Sequence, residues 1–432
     1  MKKILFCIIV LLIGGGVFSQ NKNNILSVED MHADLDFYLQ SLQDIHPNPY
    51  IVLSEEDFKI KIDSIKKQIT TPLSKKEFYL HLSSMNRYTD LHTRVAGSRK
   101  MIKQLKNYYL LPKFSMEERN VYFVDDNQIK QQIKTINGED INTIIDFFLS
   151  RRNLVEVSNE YNFLDILSYW LNEHFFDGTL QIKTLSSNLG TTLREYKPVN
   201  KPQESKRDRL YRLDYDTLNS VAIFELNTFM PKKFSQQIKF MKIINSVFDT
   251  LKQKNINRLY IDLTCNNGGL IAFEEYLLGY LITDNKAKVS WDLIMKQSQQ
   301  RRKQRGNFPI IEDGKYKQER HYFYPTDKKN KFKGEVYVIQ SRHSFSAAST
   351  LASQLQTYRQ SIVIGEECQI KAVYTDPIVI VLPHSKFLFS CATGFIRNVG
   401  NEKTRGVIPD IQHKIYNPYE EISVKQVEEM IK

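Results

Sequence analysis

The stretch GEVYVIQSRHSFSAASTLASQLQTY, Gly334 to Tyr358, decides the fold. Its opening, GEVYVIQ, is short, apolar and β-branched, the pattern of a buried strand. Its close, AASTLASQLQTY, is small and helix-forming. Between them SRHSFS makes a loop. A buried strand passing through a short loop into a helix is half of a parallel βα unit. The same design recurs upstream, where RLYIDL (258–263) leads through TCNNGG (264–269) into LIAFEEYLLGYLI (270–282). NSVAIFEL (219–226) and SIVIGEE (361–367) read as further strands. FSQQIKFMKIINSVFDTLKQKN (234–255) reads as a helix with Phe240, Met241, Ile244, Val247, Phe248 and Leu251 on one face. Residues 207–420 are therefore expected to form an α/β domain with largely parallel pairing.

Both loops end at a helix start, where free backbone N–H groups collect and the helix dipole favours negative charge. Gly268 and Gly269 let backbone approach a ligand closely, because glycine has no Cβ. Ser346 stands at the start of the second helix. It has two readings on spacing alone: a helix N-cap, which serine often is, or a nucleophile whose oxyanion is held by the N–H groups of Gly268, Gly269 and Ala347.

The chain of 432 residues is too long for one core. Residues 1–19 run from a basic start through an apolar segment to VFS, the order of a secretory signal peptide cut before Gln20. An exported mature protein without an integral span is the expectation. Residues 27–98 read as a helical cap, its helices opened by Ser27, Ser54 and Ser74. Residues 99–200 mix short strands with a turn-to-helix segment, a small α+β domain. Lys296 to Lys333 carries twelve basic and four acidic residues; it reads as a solvated insertion rather than an anion-binding surface, and no nucleic-acid motif accompanies it. Cys265, Cys368 and Cys391 leave room for one disulfide at most. No Cys/His spacing suits a metal, and no glycine loop suits a phosphate, so neither metal nor cofactor is expected. His46, before Pro47, reads as a turn or packing residue; His343 and His384 read as loop residues.

Five short elements, in order, resemble the tail-specific (C-terminal processing) serine proteases and the tricorn protease core. LYIDLTCNNGG resembles their Asp-hydrophobic-Arg-x-Asn-x-Gly-Gly element, and SFSAAS their Thr-x-Ser-Ala-Ala-Glu element. VIGEE resembles the strand that follows, GVIPDI (406–411) the closing Gly-Val-x-Pro-Asp element, and DLHTRV (90–95) the Asp-Gly-His-Thr element. HPNPY (46–50) is also similar to the cap of secreted bacterial members. The resemblance spans about residues 28 to 415. It implies a crotonase-like domain of ββα units, with a PDZ-like domain suggested by QIKTINGEDINTIIDFF (132–148). It assigns the nucleophile to Ser346, the base to His92 and the orienting acid to Glu402. In the processing-protease branch the base is a lysine, and Lys371 stands at that spacing, so it is the alternative base. A histidine base predicts an acid limb of the pH profile at about 6 to 7. Thr264 replaces the family's arginine, Ser344 its threonine, Ser349 its glutamate, and CQIK (368–371) its Thr-Gly-Gly. The implied activity is an exported serine endopeptidase cutting peptides or proteins near their C-termini. The alternative is a weakly active or inactive member that binds a peptide or lipophilic ligand.

Overall fold

A computed structural model describes residues 4–5, 25–104, 109–111, 113–124, 130–154, 161, 163–186, 190–199, 206, 209–230, 234–284, 289–323, 330–368, 373–398, 406–415 and 417–432. They form two compact units. One comprises Met1–Pro202, Met295–Lys317 and Asp376–Gly394; the other comprises Gln203–Ile294, Gln318–Thr375 and Phe395–Lys432. Beyond the boundary expected near residue 207, the chain passes between the units four more times. Two segments assigned by sequence to the 207–420 domain belong to the first unit.

In the first unit the helices Val28–Ile45, Glu55–Gln68 and Lys75–Ser83 start where the serines predict. Ser27, Ser54 and Ser74 each accept the N–H three residues on, and Glu77 completes a capping box with Ser74. Leu35, Tyr38, Leu42, Phe58, Ile62, Phe78 and Leu82 are buried in one core. That core includes a three-stranded antiparallel sheet, Ile378–Val381, Leu388–Cys391 and Arg94–Ala96. The last of these strands lies inside the segment expected to be all helix. Its partner is almost three hundred residues away, with Arg94 opposite Ser390, a pairing no local pattern reveals. Asp34, fully buried on the first helix, accepts the N–H groups of His384 and Ser385 at 2.9 and 2.8 Å. The α+β segment is an antiparallel sheet in the order Gly190–Tyr196, Leu180–Ser186, Lys130–Ile136, Asn120–Val124, Lys113–Glu117. Ile144, Ile145, Phe148, Ile166 and Leu171 of the helices Ile141–Arg151 and Phe163–Glu173 join the same core.

The basic segment is largely exposed but is not wholly a solvated insertion. Lys296 and Arg301 are buried. Arg301 donates to Thr393 and Asp376, and Lys296 donates to the carbonyls of Gln43 and His46. Cationic side chains at these two positions are tied to acceptors from distant segments, and composition alone hides this.

The second unit is built on a six-stranded sheet in the order Tyr211–Asp216, Val221–Leu226, Arg258–Asp262, Glu335–Gln340, Ile362–Gly365, Ile411–Gln412. The first pair is antiparallel and the rest are parallel. Every residue of Val221–Leu226 is buried, as expected for a parallel strand covered on both faces. Phe224, Leu226, Leu259, Ile261 and Val338 pack with the helices Phe234–Gln253, Ile271–Leu281 and Ala347–Tyr358. Ile223, Tyr260, Ile339 and Ile364 pack with Val427 of the helix Val424–Ile431. Phe240, Ile244, Val247, Phe248 and Leu251 are buried as the periodicity predicts, whereas Met241 is 42% exposed. The three cysteines are buried thiols with no disulfide between them. Among the described residues no helix is long and apolar enough to cross a membrane.

Asp34→Ala would leave two N–H groups, that of Ser385 in the interior, without their acceptor, costing about 2 kcal/mol. Asp36→Ala on the same helix, at a side chain 65% exposed, should stay within about 0.5 kcal/mol. Urea unfolding of both variants measures the difference.

Candidate active site

Three parallel strands of the second unit end side by side, the edge where α/β sheets bind ligands. Asn266 ties the three ends together. It is fully buried; its Nδ2 donates to Leu226 O at 2.9 Å, its Oδ1 accepts the Gly268 N–H at 2.8 Å, and its carbonyl accepts the Phe345 N–H at 3.0 Å. Ser344 Oγ donates to Leu263 O at 2.8 Å and so holds the third strand's loop on the second. Phe229 N donates to Gly268 O and Leu270 N to Phe229 O, both at 2.9 Å.

Ser346 stands where these loops converge. Its backbone is at φ 54° and ψ −125°, and its side chain makes no capping hydrogen bond. The N-cap reading therefore does not describe its side chain. Only its carbonyl serves the helix, accepting the Thr350 N–H at 3.0 Å and the Ser349 hydroxyl at 2.8 Å. A non-glycine residue at such a φ is strained and persists only when its surroundings hold it there.

Gly268 is part of what holds it. A Cβ there would lie 2.5 Å from Phe345 O and 2.6 Å from Ser346 Cβ. A Cβ on Gly269, at φ 146°, would lie 2.2 Å from the Phe229 carbonyl carbon. Of the three N–H groups expected to hold an oxyanion, that of Gly268 is already engaged by Asn266. Gly268 acts instead through the close approach of its backbone. The N–H groups of Gly269 and Ala347 have no hydrogen-bond partner among the described residues.

His92 belongs to the first unit. Its N–H donates to Asp90 Oδ1 at 2.7 Å, and its Nδ1 lies 4.0 Å from the same oxygen. Ser390 Oγ donates to His92 O at 2.8 Å, and Ala392 N donates to Thr93 Oγ1 at 3.1 Å. Burial pushes His92 down to about 4, with Asp90 opposing and Arg94 adding to the fall. An imidazole with little water around it binds a proton less readily than a free one, so His92 lies below the range of about 6 to 7 taken for an ordinary histidine base. His46 is not a plain turn residue. It is buried, and its ring meets Asp90 Oδ2 at 2.8 Å. The His343 ring lies 5.8 Å from that of Tyr419, and His384 Nδ1 lies 2.8 Å from Asp30. Lys371 and Glu402 lie outside the described residues.

The sequence profile of peptidase family S41 matches residues 220–413. Those residues are an S41 peptidase domain. The chain therefore carries a serine-type peptidase domain over somewhat less than half of its length. Among solved structures, mature CPAF is similar with a TM-score of 0.58 at 14% identity, over 89% of this chain and 92% of that one. Mature CPAF complexed with lactacystin gives 0.58 at 13%, over 88% and 93%. The photosystem II D1 C-terminal processing protease gives 0.46 at 11%, over 89% and 93%. At these identities the CPAF likeness bears on fold alone, an α/β peptidase fold. No curated protein sequence matches the chain.

The S41 domain's substitution at Thr264 does not leave the strand end without a cation. Thr264 is buried, and its Oγ1 and N both donate to Asp262 Oδ1, at 2.7 and 2.9 Å. Lys206 Nζ lies 2.6 Å from Asp262 Oδ2 and 2.9 Å from Thr264 Oγ1. Burial pulls the ammonium down, but Asp262, Cys265 and Glu225 outweigh it and hold Lys206 above the usual lysine range. Sequence reasoning missed Lys206, which stands 56 residues before its partner. It also missed Asn266, although NNGG was in view.

Removing Lys206 would strand a fully buried carboxylate. Lys206→Met should cost about 3–5 kcal/mol, and adding Asp262→Asn should recover most of that loss. A double-mutant cycle in thermal unfolding measures both. Equal losses in the single and double variants would show that the ion pair is not coupled.

Proposed function

We propose that the chain is an exported endopeptidase that cuts near substrate C-termini, with Ser346 as nucleophile and His92 as base. The observation that carries the reading is Ser346 itself: a serine held at positive φ against Gly268, capping nothing. A structural serine at a helix start would cap, and a strained one freed from capping presents its hydroxyl for chemistry. The N–H groups of Gly269 and Ala347 are the proposed oxyanion donors. His92, pushed down to about 4, is neutral at physiological pH and so in the form that accepts the serine proton. The attack makes an acyl-enzyme and releases the C-terminal fragment as its amine takes the proton back from His92. Water then repeats the sequence and releases the acid.

The finer fold reading, a crotonase-like stack with a degenerate PDZ-like domain in 99–200, is supported by the parallel βα order and by the sheet with two helices. Export rests on the order of residues 1–19. Preference for a C-terminus is tested by comparing a peptide with a free carboxylate against its amide, where the free acid should be cut faster.

Ser346→Ala should abolish turnover, lowering it by several orders of magnitude. Its stability should stay within about 0.5 kcal/mol, because no cap is lost. A drop of about 1 kcal/mol with activity retained would restore the N-cap reading. His92→Ala should remove most turnover and Lys371→Ala should spare a substantial part; the reverse result would assign the base to Lys371. Glu402→Gln measures whether Glu402 supports the base.

The pH dependence follows from His92. Protonation disables a base, so activity should hold down to about pH 5 and fall below it. Stability has the same sign. The unfolded chain takes up this proton near about 6.5, the folded one only near about 4. This group therefore withdraws stability as pH falls between those values. A limb above pH 8 would exclude a histidine base.

A further inference from the structure

We propose that His46 is a positioning residue that acts through Asp90: it fixes the Asp90 carboxylate beside His92, and Asp90 supports the imidazolium that forms when His92 takes the serine proton. The proposal rests on His92 being the base.

His46 is held through its backbone as well as its ring. Its backbone N–H donates to Leu42 O at 3.0 Å, which closes the helix Val28–Ile45. Its carbonyl accepts from the buried Lys296 ammonium at 3.3 Å. Its Nδ1 accepts the Asn48 N–H at 3.0 Å. A nitrogen that accepts an N–H carries no proton, so in the neutral ring the proton is on Nε2. That nitrogen faces Asp90 Oδ2 at 2.8 Å and therefore donates to it. One oxygen of Asp90 is thus fixed by His46. The other accepts the His92 N–H at 2.7 Å and faces the His92 ring at 4.0 Å. Thr93 N donates to Asp90 O at 3.1 Å, so the Asp90–Thr93 turn is closed as well.

Three features distinguish this from ordinary packing. His46 is 1% exposed and Asp90 2%, so the pair stands in a low-dielectric interior where a charge 4 Å away acts strongly. An unsupported carboxylate there would be expensive. Burial raises the Asp90 carboxyl, but the hydrogen bond from His46, with His92 and Thr93, outweighs it and keeps it below the ordinary carboxylate range. The other titratable groups in this core do not replace it. Tyr38 and Cys391 are pushed up by burial and by Asp90, so both stay neutral; Lys296 is pulled down by burial, and Arg94 opposes a proton on His92. Among the described residues, Asp90 is the group that raises the basicity of His92, and one of its oxygens is oriented by His46. The arrangement has the logic of a base oriented by a third group, with a fourth orienting the third.

The experiment measures kcat, KM and pH profile for four variants. Asp90→Asn keeps an oxygen for the His92 N–H but removes the charge. Its kcat should fall at least roughly tenfold with KM little changed, and its acid limb should move to lower pH as His92 loses its anion. His46→Phe should lower kcat similarly. His46→Gln, whose amide can still donate to Asp90, should recover most of the loss, a rescue that a purely structural histidine would not show. His92→Ala should be inactive. If Asp90→Asn keeps the wild-type kcat and acid limb while His92→Ala is dead, the proposal falls and the base assignment stands. If His92→Ala is active, the base assignment itself falls. Should His46→Phe fail to fold, Asp90→Asn and His46→Gln decide: a Gln variant that folds with kcat as low as that of Asp90→Asn overturns the positioning role.

Discussion

Asn266 is the constraint from which the nucleophile's geometry follows. One buried asparagine bonds the end of one strand and the glycine turn of the next through its side-chain amide, and the loop of the third through its backbone carbonyl. Each bond lies in a dry interior, where an unmade one is costly. Because the turn is fixed, Gly268 can stand against Ser346, and because Gly268 has no Cβ, Ser346 can keep its strained φ. The strain is local, and the sheet that supports it is regular. Parallel strands covered on both faces supply the rigidity a single loop lacks.

The sequence made the sheet legible where the signal is local. Runs of apolar residues set the strands Arg258–Asp262 and Glu335–Gln340, and serines set the helix starts at Ser27, Ser54 and Ser74. Ser346 and the two glycines were legible because strand, turn and helix follow one another in the chain. What was hidden depends on distance along it. The Arg94–Ala96 strand pairs with Leu388–Cys391, Lys206 meets Asp262, and His46 meets Asp90. Each requires two segments that share no periodicity. The N-cap reading of Ser346 failed for a different reason: cap preference describes a residue type, whereas the backbone here is held by its neighbours. The downward shift of His92 was hidden because composition does not report burial.

Charge is handled alike in both units. Asp262 with Lys206, and Asp90 with His46, are buried anions each given a donor from far along the chain. Arg301 with Asp376 and Thr393 repeats the pattern in the segment that composition marked as merely basic. Such pairs add little net stability over apolar packing, but breaking one is costly. They therefore fix which segments meet, and at the ends of strands they fix where loops point.

The buried thiols give the molecule its own reporters. Cys391 sits in the first unit; Cys265, at the glycine turn, and Cys368 sit in the second. A thiol reacts with an alkylating reagent only when the structure around it opens. The order in which the three take up a mass label under mild denaturant would reveal which unit breathes first, with no engineered probe. Since no cystine joins them, the order would reflect packing alone, uncoupled from disulfide reduction.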